Sequence, residues 1–257
     1  MAATGSPSRV ARFFALAFLL TWTFQIPGAL AKLGIVGGAT EPWMGLMGLG
    51  LFGPLVAAMV VSRGDPGGVR GLFAQLRGWR VHPGWYLLAV VLPGAVMTLG
   101  LVAYRVGGGA DLGRWLWIPH DPPRIVALFL IPFTEEVGWR GYAQPKLQER
   151  VGPLRASLVI GVLWAFWHVP MFVVQGVTAA QFAESVAYFM AGSVTFAWLG
   201  LRARAMLPMA IASHFGAHLD SSMASMPATA VPFHAQTAGY VVLALLLVLL
   251  DRGAWKQ

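Results

Sequence analysis

The chain has 257 residues, 57% hydrophobic and 11% charged, with a mean hydropathy of +0.67, a composition that excludes an ordinary soluble domain and predicts one integral membrane domain over 1–257, all-α. Cysteine is absent, which excludes disulfides, a thiolate nucleophile and cysteine-ligated zinc or iron–sulfur centres. The formal charge of +8 does not mark a nucleic-acid binder, because the basic residues lie in the connections between apolar segments rather than on one soluble face. The expected partner is the lipid bilayer, with no nucleic acid.

Charged and Gly/Pro-rich breaks divide the apolar sequence into about eight predicted transmembrane helices, at 10–31, 44–62, 84–106, 123–143, 156–175, 182–201, 206–222 and 236–250. The first has the basic start and apolar run of a signal peptide, but the run is long and no small-residue cleavage site is evident, so it is expected to be retained. In the second, Gly48 to Gly53 reads GLGLFG, a dinucleotide fingerprint in letters only; inside an apolar run with no preceding strand, small residues serve close helix packing. With both termini on the cytoplasmic side, 14 of the 18 Lys and Arg residues fall on the inner side and four on the outer, as the positive-inside rule requires.

The fourth predicted span breaks the pattern. It carries Glu135, Glu136 and Arg140 in the stretch PFTEEVGWRGYAQP. Counting inward at ~1.5 Å per helical residue, Glu135, His168 and His214 from three different spans reach one depth, in the middle or cytoplasmic half of the bilayer. An ionisable group there costs at least ~2.5 kcal/mol on insertion scales, so it is expected to face the protein interior. On a helix Glu136 and Arg140 share a face and can pair, while Glu135 points about 100° away and stays free to act. A carboxylate so placed can take a proton from water and return it, and imidazoles can polarise a carbonyl, stabilise an oxyanion or hold a metal. The same set also describes a proton relay or, more plainly, an ion-pair network at a helix end. Trp164, Phe166, Trp167 and Phe172 read as packing, so that Trp164→Phe is expected to be mild. His82, His120 and His234 fall in predicted loops.

The stretches EEVGWRGY, WAFWHVP and IASHFGAH resemble the CAAX protease and bacteriocin-processing (CPBP) family of intramembrane endopeptidases, also called type II CAAX prenyl protease-like or abortive-infection proteins. The family pattern EExxxR, FxxxH, HxxxN/D maps onto Glu135, Glu136 and Arg140, then His168 with Trp164 where Phe is usual, then His214 with His218 where Asn or Asp is usual. The resemblance covers about 123–220, the expected catalytic core. It implies hydrolysis of a peptide bond in or near the membrane by a water that Glu135 activates, assisted by His168 and His214, with Glu136 and Arg140 shaping the site. His218 can donate to an oxyanion. No cofactor is expected, although His168, His214 and His218 could instead hold Zn²⁺. The HExxH of the site-2 class, the GxSG of rhomboids and the GxGD of aspartyl intramembrane proteases are all missing. A proton-coupled transporter, which the Gly/Pro interruptions do not support with paired symmetry, and a non-catalytic membrane immunity protein are the alternatives. The bias of 15 Arg to 3 Lys and the bacterial look of the motifs predict a multi-pass protein of a prokaryotic inner or plasma membrane, acting on a membrane-embedded or membrane-associated substrate.

Overall fold

The computed structural model describes residues 7–37, 41–109, 122–219 and 233–256; His120 and Asp220 lie outside the described residues. Among these, all regular structure is helical: α1 (Pro7–Lys32), α2 (Glu41–Gly50), α3 (Gly53–Ser62), α4 (Gly68–Ala74), α5 (Pro83–Val106), α6 (Pro122–Glu136), α7 (Gln144–Val151), α8 (Pro153–Trp167), α9 (Val169–Gln175), α10 (Ala179–Ala203), α11 (Met206–Ala217) and α12 (Phe233–Leu250). Short 3₁₀ turns follow α4 at Gln75–Trp79 and α12 at Arg252–Lys256, and a π-helical turn, Val137–Ala143, joins α6 to α7.

The eight predicted segments fall on helices, but with breaks that hydropathy does not reveal. The second divides into α2 and α3, and the fifth bends by 47° between α8 and α9. Among the described residues four helical stretches, Arg9–Lys32, Pro42–Ser62, Pro83–Val106 and Ala179–Ala203, are long and apolar enough to cross a membrane, five if the bent pair is one span. The count of eight spans and the orientation of the termini stay expectations. His82 lies in the exposed connection before α5, as expected, where as N-cap it accepts a hydrogen bond from the Gly84 N–H; His234 is not in a loop but in the first turn of α12.

The distribution of polarity is that of a protein dissolved in lipid. Leu87, Leu99 and Val106 are 68%, 68% and 83% exposed, whereas Glu136 and Arg140 are 0%. With apolar surroundings outside, helices gain little from hiding apolar side chains and associate through close packing and internal polar contacts. Gly161 of α8 illustrates the first: a Cβ there would lie 2.5 Å from Met190 Cα of α10, so only glycine permits that approach. Thr21 illustrates the second, donating to Gly50 O at 2.7 Å and accepting from Trp167 Nε1 at 2.8 Å, which ties α1 to α2 and α8.

One end of the bundle is fastened by carboxylates. Asp65, after α3, pairs with Arg9 of α1 at 2.9 Å and Lys146 of α7 at 2.8 Å. Asp251, after α12, pairs with Arg202 of α10 and accepts from Trp198 Nε1 at 2.8 Å.

Candidate active site

The site is built on the π-helical turn. Its wider backbone pattern is favoured where function needs residues re-aimed, and here every residue from Thr134 to Gln144 is buried. Gly138 lets this turn touch α3: a Cβ at that position would lie 2.6 Å from Pro54 Cβ and 2.7 Å from Pro54 O. Gln75, from the 3₁₀ turn after α4, donates to Gly141 O at 2.6 Å, satisfying a carbonyl in the irregular turn.

The two adjacent glutamates have different surroundings. Glu136 is saturated. Arg140 Nη1 donates to both of its oxygens at 2.9 Å, and His214 Nδ1 lies 2.8 Å from Oε1. The Arg140 guanidinium continues to Ser193 Oγ on α10 at 2.8 Å and rests over the faces of Trp164 (4.4 Å) and Phe196 (5.1 Å). Burial of an arginine demands this enclosure of charge, hydrogen bonds and ring faces. Glu135, 2% exposed, receives one hydrogen bond among the described residues, from Trp164 Nε1 to Oε2 at 2.7 Å. The pairing expected for Glu136 with Arg140, and the divergence of Glu135 from it, are both present.

His168 stands at the break between α8 and α9. Its N–H bonds to Ala165 O at 3.2 Å in a tightened last turn, which frees the Trp164 carbonyl, and the His168 ring takes that carbonyl at 2.8 Å through Nδ1. Pro170 brings no N–H to the next turn, and Trp167 O accepts instead from Trp22 Nε1 of α1 at 3.0 Å. A carbonyl only accepts, so Nδ1 of His168 carries the proton and Nε2 presents its lone pair. The same logic applied to His214, whose Nδ1 faces the Glu136 carboxylate, turns its Nε2 away from Glu136. His218, the C-cap of α11, stacks on His214 with centroids 4.7 Å apart and planes at 22°, and its buried Nε2 has no partner among the described residues.

Trp164 is the residue the sequence reading undervalued. It is packed, edge-on to Phe189 (4.6 Å) and to His214 (5.3 Å), but it also holds Glu135 with its indole and His168 with its carbonyl. A tryptophan where the family pattern has phenylalanine was the available signal, since indole brings a donor that phenyl lacks. Ser193 had no signal at all; it sits in an apolar helix and meets Arg140 only through the fold.

The three histidines do not fit a zinc ion as arranged. Among the described residues no group of three or more His, Asp or Glu side chains is placed to hold a metal. The lone pairs of imidazole lie in the ring plane, and two rings stacked nearly parallel do not aim them at one centre ~2.0–2.1 Å from each.

Fold and site together define a helical protein of the membrane class whose interior holds a buried Glu–Glu–Arg–His cluster. Residues 122–219, which contain every member of that cluster, match the model for type II CAAX prenyl endopeptidase Rce1-like proteins; this segment, less than half of the chain, is similar to that family. The chain is also 27% identical over 146 residues to CAAX prenyl protease 2 of Methanococcus maripaludis, a match covering 52% of this chain and 54% of that protein. The matched region thus spans about half the length of the relative.

Proposed function

We propose that this chain is an intramembrane endopeptidase that hydrolyses a peptide bond in or near a prokaryotic cell membrane, using a water activated by Glu135. The observation that carries this reading is the inequality of the two glutamates: Glu136 is held by Arg140 and His214, while Glu135 has a single indole donor and keeps its remaining lone pairs. A hydrolytic base must be held in place yet able to accept a proton.

In the proposed reaction Glu135 removes one proton from water as its oxygen bonds to the scissile carbonyl carbon, and His168 Nε2 orients the water by accepting its other hydrogen. The carbonyl electrons move onto oxygen. The buried, unpartnered Nε2 of His218 donates to that oxyanion from the position where the family pattern has Asn or Asp, with His214 beside it. Collapse re-forms the carbonyl, breaks the C–N bond and sends the proton on Glu135 to the leaving amine. Glu136 and Arg140 position His214 and Trp164 without touching substrate. No step passes through a metal.

The test uses protein reconstituted in liposomes and an internally quenched peptide carrying an S-farnesyl cysteine near its C-terminus, with the unprenylated peptide alongside. The relative's name directs the choice of probe. Glu135→Gln, nearly isosteric, is expected to abolish cleavage with the thermal unfolding temperature unchanged, and His168→Ala and His214→Ala to do the same to cleavage. Full cleavage by Glu135→Gln refutes the assignment.

A further inference from the structure

The segment between α3 and α5 has two faces. Inward, Leu72 is buried, Phe73 stacks on Phe133 of α6 with centroids 6.4 Å apart, and Gln75 holds Gly141 of the π-helical turn at 2.6 Å. Outward, Arg70, Arg77, Trp79 and Arg80 are all exposed, Trp79 at 59%, with the Arg80 guanidinium 5.5 Å over the Trp79 ring. We propose that this outer face is a docking surface for anionic phospholipid headgroups, and that a lipid held there braces the π-helical turn through Gln75.

Three observations select that occupant. First, the arginines are not neutralised by the protein: Asp65 and Asp251 are committed to Arg9, Lys146 and Arg202, and among the described residues no carboxylate, Glu149 of α7 included, forms an ion pair with Arg70, Arg77 or Arg80. Second, the segment sits where the apolar helices stop. It begins after Ser62 ends α3 and finishes where Pro83 starts α5, whose Leu87 is 68% exposed one turn in, so the ligand's charged head meets arginine while its chains meet the apolar belt. Third, Trp79 is fixed at this level, its carbonyl accepting from Tyr86 Oη at 2.8 Å; an indole beside basic side chains is the pattern of an element lying in the membrane interface. A free inorganic anion would have no use for the indole or the apolar neighbourhood.

The experiment is thermal unfolding of the full chain in a neutral detergent, titrated with dioleoylphosphatidylglycerol, dioleoylphosphatidylcholine or inorganic phosphate, together with hydrogen exchange at residues 137–143. Phosphatidylglycerol is expected to raise the unfolding temperature saturably and to slow exchange in the π-helical turn, while phosphatidylcholine and phosphate do neither. The double variant Arg77→Gln/Arg80→Gln is expected to need about 30-fold more phosphatidylglycerol, as loss of two arginine charges implies. Arg150→Gln/Arg155→Gln, an equally exposed pair elsewhere, is expected to respond like the unaltered protein. Gln75→Leu is expected to bind lipid but not to pass protection to residues 137–143. An equal response to phosphate overturns the lipid in favour of a simple anion site; equal weakening in both double variants overturns the segment in favour of diffuse charge; no difference between the two lipids overturns the surface altogether. None of these readouts depends on peptidase activity.

Discussion

Replacing Trp164 with phenylalanine isolates one hydrogen bond at the proposed base. The 2.7 Å contact from Nε1 to Glu135 Oε2 is charge-assisted when the carboxylate is ionised, and such bonds contribute about 1.5–3 kcal/mol. At about 1.4 kcal/mol per factor of ten, its loss should lower kcat about 10- to 150-fold, with KM little changed because the indole is buried behind the carboxylate rather than beside substrate. The Trp164 carbonyl that fixes His168 is main chain and survives the change, and a phenyl ring still offers Arg140 a face and Phe189 an edge. Phe189→Leu is therefore the control: it removes the edge contact (4.6 Å) and leaves the indole donor. The assay is steady-state cleavage of the quenched peptide in liposomes, with unfolding temperatures measured in parallel. Wild-type kcat in Trp164→Phe, or a loss no greater than in Phe189→Leu, would refute the positioning role and return Trp164 to simple packing.

Arg140→Gln should destabilise the protein by about 3–5 kcal/mol, the cost of breaking a buried pair, because it leaves the Glu136 carboxylate buried without its cation; a normal unfolding temperature would contradict this. Gln75→Leu leaves Gly141 O without its side-chain donor and should cost about 1–3 kcal/mol, read by chemical or thermal unfolding in micelles. Gly138→Ala places a methyl 2.6 Å from Pro54 and should cost about 1–3 kcal/mol, with expression level and unfolding temperature as the check.

The helices were legible because their signal is local: long apolar runs closed by charge, glycine or proline. Glu136 and Arg140 were legible as a pair for the same reason, being one turn apart. Of the glycines read as packing residues in GLGLFG, Gly50 and Gly53 press against α1 near Thr21, whereas a Cβ at Gly48 would meet nothing within 4 Å, so that glycine packs against no neighbour. What the sequence hid is what arrives from afar. The indole of Trp164 on Glu135, Ser193 on Arg140 and Gln75 on Gly141 join positions 29, 53 and 66 residues apart, and no periodicity announces them. The helix of the fourth predicted span also runs on past 143, since the π-helical turn leads into α7 as far as Val151; hydropathy drops there while the backbone continues.

The contacts of α1 set an order of events for a chain that is made from one end. Arg9 meets Asp65, which also takes Lys146, and Thr21 and Trp22 meet Trp167 across 146 and 145 residues. The guanidinium of Arg9 and the hydroxyl of Thr21 thus find Asp65 and Gly50 O soon after α1 is made, whereas the indole of Trp22 waits until α8 has been synthesised. The seat of α1 on α8 closes over the same turn that presents His168, so docking of α1 against α8 and completion of the site become a single late step in biogenesis.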